Sequence, residues 1–229
     1  MDYSGAFKGI KRVFIGITTY ILSSLASIIF LIVFSIPAVK GNLNALLAYL
    51  IIFIIISSLQ IVGYILMIWG LNIAGKDETY FENGFWVALL TVVLKLGALL
   101  LNSFLPAATI LYSSFDAIGD ICSVVVIVFI VNGLSVVLEK TENYDISDRG
   151  ISLSYLVIFS YIVSILLTFI PSFFKTTNPS LLIVFQIFQV LSSAIELFIY
   201  LAVITYLYRS IQLLKPLYEV KKVKKKRTY

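Results

Sequence analysis

Two charges in this chain stand where the neighbouring residues leave no water for them. Lys95 lies near the middle of the apolar stretch 84–105, and Glu196 near the middle of the apolar stretch 181–208. If both stretches cross a bilayer as helices, each charge sits roughly 16–18 Å from the more basic boundary at 1.5 Å per residue. Gln60, in the apolar stretch 43–73, falls near the same level. A lone charge at a helix centre costs about 2.5–3.5 kcal/mol even on the milder insertion scale. Pairing Lys95 with Glu196 is the cheapest way to lower that cost, so the two are expected to face each other.

Helical spacing supports a polar seam. Gly84, Ala88, Thr91, Lys95, Ala98 and Asn102 step by three or four residues, as do Gln186, Gln189, Ser193, Glu196 and Tyr200. Each set falls on one face of its helix, and in lipid such faces turn toward protein or water. Lys95, Glu196, Gln60, Asn102 and Gln189 therefore form the candidate intramembrane polar site. A proton or substrate site is one reading. The plainer one is a buried ion pair that fixes helix arrangement.

Other chemistry is poorly supplied. Asp116, in a segment that reads as a solvated loop over 107–119, and Asp120 lie four residues apart on the outer side, too few carboxylates for a dedicated calcium site. The chain has no histidine and one cysteine, Cys122. This argues against a zinc, haem or iron–sulfur cofactor, a serine hydrolase triad and a disulfide within the chain. No cofactor, no metal and no enzymatic activity are expected.

The elements that must position these residues follow from composition. Of 229 residues, 60% are hydrophobic and 13% charged, with a mean hydropathy of +1.03. Soluble domains carry about a quarter charged residues, so hydrocarbon is the consistent solvent. Six spans of the required ~20 residues are expected over about 13–36, 43–73, 84–105, 118–138, 151–170 and 180–208, as one domain over 1–215. The stretch 13–36 is longer than a signal-peptide core and reads as a retained helix.

Basic residues set the orientation. Fourteen lysines and arginines fall on the side of both termini, against Lys40 and Lys175 opposite. A multi-pass protein of the cell membrane with both termini cytoplasmic is the expectation. The tail 216–229 carries Lys221, Lys222, Lys224, Lys225, Lys226 and Arg227, a binding patch for anionic lipid headgroups or an acidic protein partner rather than nucleic acid.

Gly70, the charged stretch 76–82 and Gly84 match Gly133, the charged stretch 139–149 and Gly150 in order, which suggests three tandem helical hairpins. Residues 63–90, GYILMIWGLNIAGKDETYFENGFWVALL, with a weaker match over 132–156 and the basic lead into 7–20, resemble small archaeal multi-pass membrane proteins catalogued only as domains of unknown function. The resemblance implies a multi-helix membrane fold and carries no catalytic residue. The reading is an all-α, six-helix membrane protein that packs with the bilayer, with partner membrane proteins or with itself as a scaffold or accessory subunit. A small transporter or channel using the Lys95/Glu196 level is the alternative.

Overall fold

The computed structural model describes residues 4–34, 43–105, 109–173 and 179–227 of the chain. They form six helices: α1 (Ser4–Phe34), α2 (Leu43–Ala74), α3 (Thr79–Phe104), α4 (Thr109–Lys140), α5 (Tyr144–Phe173) and α6 (Pro179–Arg227). All six are long and apolar enough to cross a membrane, and no strand occurs among the described residues. Large apolar side chains such as Ile51, Ile54, Ile61, Trp86, Phe159 and Phe198 stand exposed on the flanks, as expected where the surrounding solvent is lipid.

The helices alternate in direction, so α1 begins and α6 ends at one end of the bundle, called here the charged end. Consecutive helices pack together and α6 returns against α1, closing the ring, while α4 also reaches α6. The largest fully buried side chains gather toward the charged end. They include Ile10 and Val13 of α1, Leu71 of α2, Phe81 of α3, Ile130, Leu134 and Leu138 of α4, and Leu207 of α6.

The spans expected from hydropathy are found, but their ends differ. α1 begins at Ser4, α3 at Thr79, α4 at Thr109 and α5 at Tyr144, each several residues before the apolar stretch opens. Hydropathy measures the part of a helix that suits hydrocarbon; a polar turn hydrogen-bonds its backbone equally well in water. The charged connectors accordingly shrink to Gly75–Glu78 and Thr141–Asn143. The second ends α4 in a Schellman arrangement: Asn143 N–H donates to Leu138 O at 2.9 Å and Glu142 N–H to Glu139 O at 2.9 Å. Glu142 takes the left-handed conformation this requires, with φ 64°.

A further difference concerns the basic tail. The span is expected to end near 208, with an interfacial turn reaching at most Lys215 before Pro216; the helix instead continues through Pro216 to Arg227. Proline inside a helix forfeits one backbone hydrogen bond. Contacts beyond it hold the turn in place: Tyr218 stacks on Phe7 of α1 with ring centroids 4.8 Å apart, and Lys8 lies over the same ring.

Helices α1 and α2 approach each other backbone to backbone at two pairs of glycines. Gly9 faces Gly70, and Gly16 faces Gly63. A Cβ added at Gly16 would stand 2.5 Å from Gly63 O, and one at Gly63 would stand 2.8 Å from Gly16 O. Two glycines seven residues apart on each antiparallel helix thus bring the backbones of α1 and α2 together. Small residues serve this purpose between helices in lipid. Gly63→Ala is expected to force the pair apart and lose about 1–3 kcal/mol, the usual range for overpacking. Gly119→Ala, whose Cβ would meet the flexible Lys95 stem at 3.1 Å, should change little. Thermal unfolding of both variants in detergent checks the contrast.

Candidate functional site

Lys95 sits about 5 Å from the midpoint of α3, counted at 1.5 Å per residue. Its Nζ donates to Asp116 Oδ1 and to Asp120 Oδ1, each at 2.6 Å. Because α4 starts at Thr109, the two aspartates are one helical turn apart on the same face. Gly119 lies between them in sequence, and the Cγ, Cδ and Cε atoms of Lys95 fill the space its Cβ would take. The lysine stem thus lies along the α4 backbone and delivers the ammonium to both carboxylates.

One ammonium between two carboxylates leaves a formal charge of minus one. The cluster is not enclosed: the side chains of Lys95, Asp116 and Asp120 are 38%, 55% and 54% exposed. It therefore opens on the flank of the α3/α4 hairpin. A charge-assisted hydrogen bond is stronger in a dry setting than in water, and an uncovered carboxylate there is correspondingly costly.

This geometry corrects one expectation, the loop over 107–119, and leaves the pairing with Glu196 outside the described residues. The ammonium expected to meet Glu196 has Asp116 and Asp120 as its described partners. The segment expected to form a loop over 107–119 is helical from Thr109. Its Ser, Asp and Gly content lowers hydropathy without breaking the helix, since a neighbouring helix satisfies the charges. The side chains of Glu196 and Gln189 lie outside the described residues; their helix, α6, packs on α5, α1 and α4.

The remaining members of the expected site are dispersed. Gln60 Nε2 donates to Ser24 Oγ and Ser27 Oγ, both at 3.3 Å, so it bridges α2 to α1 rather than joining Lys95. Asn102 is exposed near the end of α3. The seam itself is real on α3, where Gly84, Ala88, Thr91 and Ala98 are buried. The tail residues Lys221, Lys222, Lys224, Lys225, Lys226 and Arg227 lie on the helical extension of α6, with side chains outside the described residues.

A signal for Lys95's partners was present. In an antiparallel hairpin turning near position 107, residues equally far from the turn face each other. Lys95 and Gly119 are each twelve residues from it, and Asp116 and Asp120 flank that point.

At the charged end a second set of polar contacts ties the helices together. In the α2–α3 turn, Asp77 Oδ2 accepts the Ala6 N–H at 2.6 Å, capping α1 across 71 positions. The next residue, Glu78, is 8% exposed and accepts from Lys140 Nζ of α4 at 2.6 Å. Farther round, the Ser135 and Tyr206 hydroxyls meet at 2.8 Å, and Ser147 Oγ donates to Ser135 O at 2.9 Å. Gly150 permits this packing, because a Cβ there would collide with both hydroxyls. Comparison with protein-family models, with curated proteins and with solved structures finds no match to the chain.

The shared ammonium predicts non-additivity. Asp116→Asn or Asp120→Asn alone leaves one ion pair at Lys95 and should cost under about 1 kcal/mol. The double variant strands the ammonium and should cost about 3 kcal/mol, more than the two single losses together. A double-mutant cycle by thermal unfolding in detergent measures the excess.

Proposed function

We propose that this chain is a non-enzymatic integral membrane protein that packs as a scaffold or accessory subunit, with both ends on the cytoplasmic side. The observation that carries the packing role is the open Lys95–Asp116–Asp120 cluster on the α3/α4 flank. Two half-exposed carboxylates sharing one ammonium at membrane depth call for a further polar or cationic group. A neighbouring membrane helix, from a partner or a second copy, supplies one at the lowest desolvation cost. A cluster needed only to fix the fold would be more stable fully enclosed.

A second reading draws on the same surplus charge. The cluster sets two carboxylates against one ammonium, and intramembrane carboxylates of this kind mark proton relays in transporters. The partly open geometry gives access, but the described pocket lies elsewhere, between α5 and α6. The packing role is therefore the stronger reading.

Orientation rests on the excess of lysine and arginine at the charged end. Thr176→Cys, between α5 and α6, in a Cys122→Ala background is expected to react with an impermeant thiol reagent on intact cells. Reaction only after lysis would reverse the orientation.

Affinity purification of the full chain from native membranes in mild detergent is expected to recover a second membrane subunit or a dimer. Its recovery should fall at least tenfold in the Asp116→Asn/Asp120→Asn variant while that variant stays monodisperse. A monomer with no partner, together with proton flux in proteoliposomes that the double substitution abolishes, would replace the packing reading by transport.

A further inference from the structure

Between α5 and α6 at the charged end lies a cavity of about 420 Å³ lined by Ile146, Arg149, Leu153, Phe198, Leu201, Ala202, Thr205, Tyr206 and Arg209. Its size falls within the range of small-ligand sites. Its chemistry is divided. Arg149 and Arg209 lie at the end nearer the helix termini, and Leu153, Leu201, Ala202 and Phe198 continue it toward the bundle middle.

The division follows from the packing. The Tyr206 hydroxyl is turned inward to Ser135, so its ring is left to wall the cavity. Gly150 draws α5 onto Ser135 and Tyr206. Outside that contact, the space between α5 and α6 opens to the flank, where Phe198 and Leu201 are exposed. Neither guanidinium forms an ion pair among the described residues, whose salt bridges involve Lys95, Lys140 and Lys215. Asp145 and Asp148, on the same helix as Arg149, make no such pair either.

We infer that this groove binds one anionic phospholipid, its phosphate held by Arg149 and Arg209 and one acyl chain laid along Leu153, Leu201, Ala202 and Phe198. Charge and length both select this occupant. Guanidinium groups match phosphate oxygens in a bidentate way, and basic pockets between membrane helices favour anionic headgroups. From Arg209 to Phe198 the groove follows α6 for about 16 Å at 1.5 Å per residue. That is about half of the ~30 Å hydrocarbon thickness, the depth of a single leaflet. A soluble phosphate compound would use the two arginines and leave the apolar half empty. The inference rests on placement in a bilayer and is independent of the packing role.

The test is binding of phosphatidylglycerol and of phosphatidylcholine with identical chains to the purified full chain in detergent, read by native mass spectrometry. Phosphatidylglycerol is expected to bind about tenfold more tightly. Arg149→Gln/Arg209→Gln should remove the preference, whereas truncation after Glu219 should retain it. Ala202→Phe, which fills the apolar floor, should weaken both lipids. Should the double glutamine variant not fold, Arg149→Gln and Arg209→Gln singly, each expected to reduce the preference, decide together with Ala202→Phe. The inference is overturned if the preference survives loss of both arginines, if it disappears with the tail, or if Ala202→Phe leaves lipid binding unchanged. Displacement of phosphatidylglycerol by millimolar inorganic phosphate with no dependence on the acyl chain would also overturn it, assigning the arginines to a free anion.

Discussion

The fold depends first on how close two backbones can come. In lipid, burying an apolar side chain against another helix gains little over leaving it among acyl chains, so association rests on dispersion contacts and on polar groups. Dispersion falls off steeply with separation. Gly9, Gly16, Gly63 and Gly70 leave four positions of one seam without a side chain and let α1 and α2 touch main chain to main chain there. That contact places the α2–α3 turn beside the first turn of α1, where Asp77 finds the Ala6 N–H. Glu78, one position on, is then in reach of Lys140 and fixes α4. A short chain of dependence runs from four missing side chains to the assembly of the charged end.

Polar contacts elsewhere follow the same economy. Among the described residues, the hydroxyls and carboxylates that lie inside meet a partner on another helix or their own backbone, except the Thr18 hydroxyl, which meets none. Ser154 donates to Asn132 at 2.7 Å between α5 and α4. Arg12 lies over the Trp69 ring, 3.8 Å from its centroid, between α1 and α2. The Lys95 cluster departs from the pattern because its three side chains remain half exposed on the flank. What distinguishes it from the Glu78–Lys140 contact is the carboxylate, which is 8% exposed at Glu78.

How much of this the residues disclose depends on which signal each feature leaves. The six spans are legible because hydrocarbon demands about 20 apolar residues in a row, and the buried face of α3 is legible from its three-and-four spacing. Helix ends are not, since the residues of α5 before Ile151 are polar and helical at once. Lys95's partners were obscured by the same effect: read as loop, Asp116 and Asp120 had no fixed face. The glycine seam carried a seven-residue spacing on both helices, but only pairing α1 antiparallel to α2 shows that the four positions coincide. Glycines near Gly70, Gly84, Gly133 and Gly150 suggested a repeat. The structure gives them different neighbours: Gly84 meets Phe129 and Leu71, whereas Gly150 meets Ser135 and Tyr206.

The cap on α1 also imposes an order in time. The carboxylate that closes the first turn belongs to a residue 71 positions later, so it does not exist when that turn leaves the ribosome. At synthesis rates of about 5–20 residues per second, the interval is roughly 4–14 seconds. Throughout it the leading N–H groups of α1 rely on water or headgroups, and the turn is completed only when the second helix has come back across. The leading turn of α1 is thus made before α2 and finished only after it.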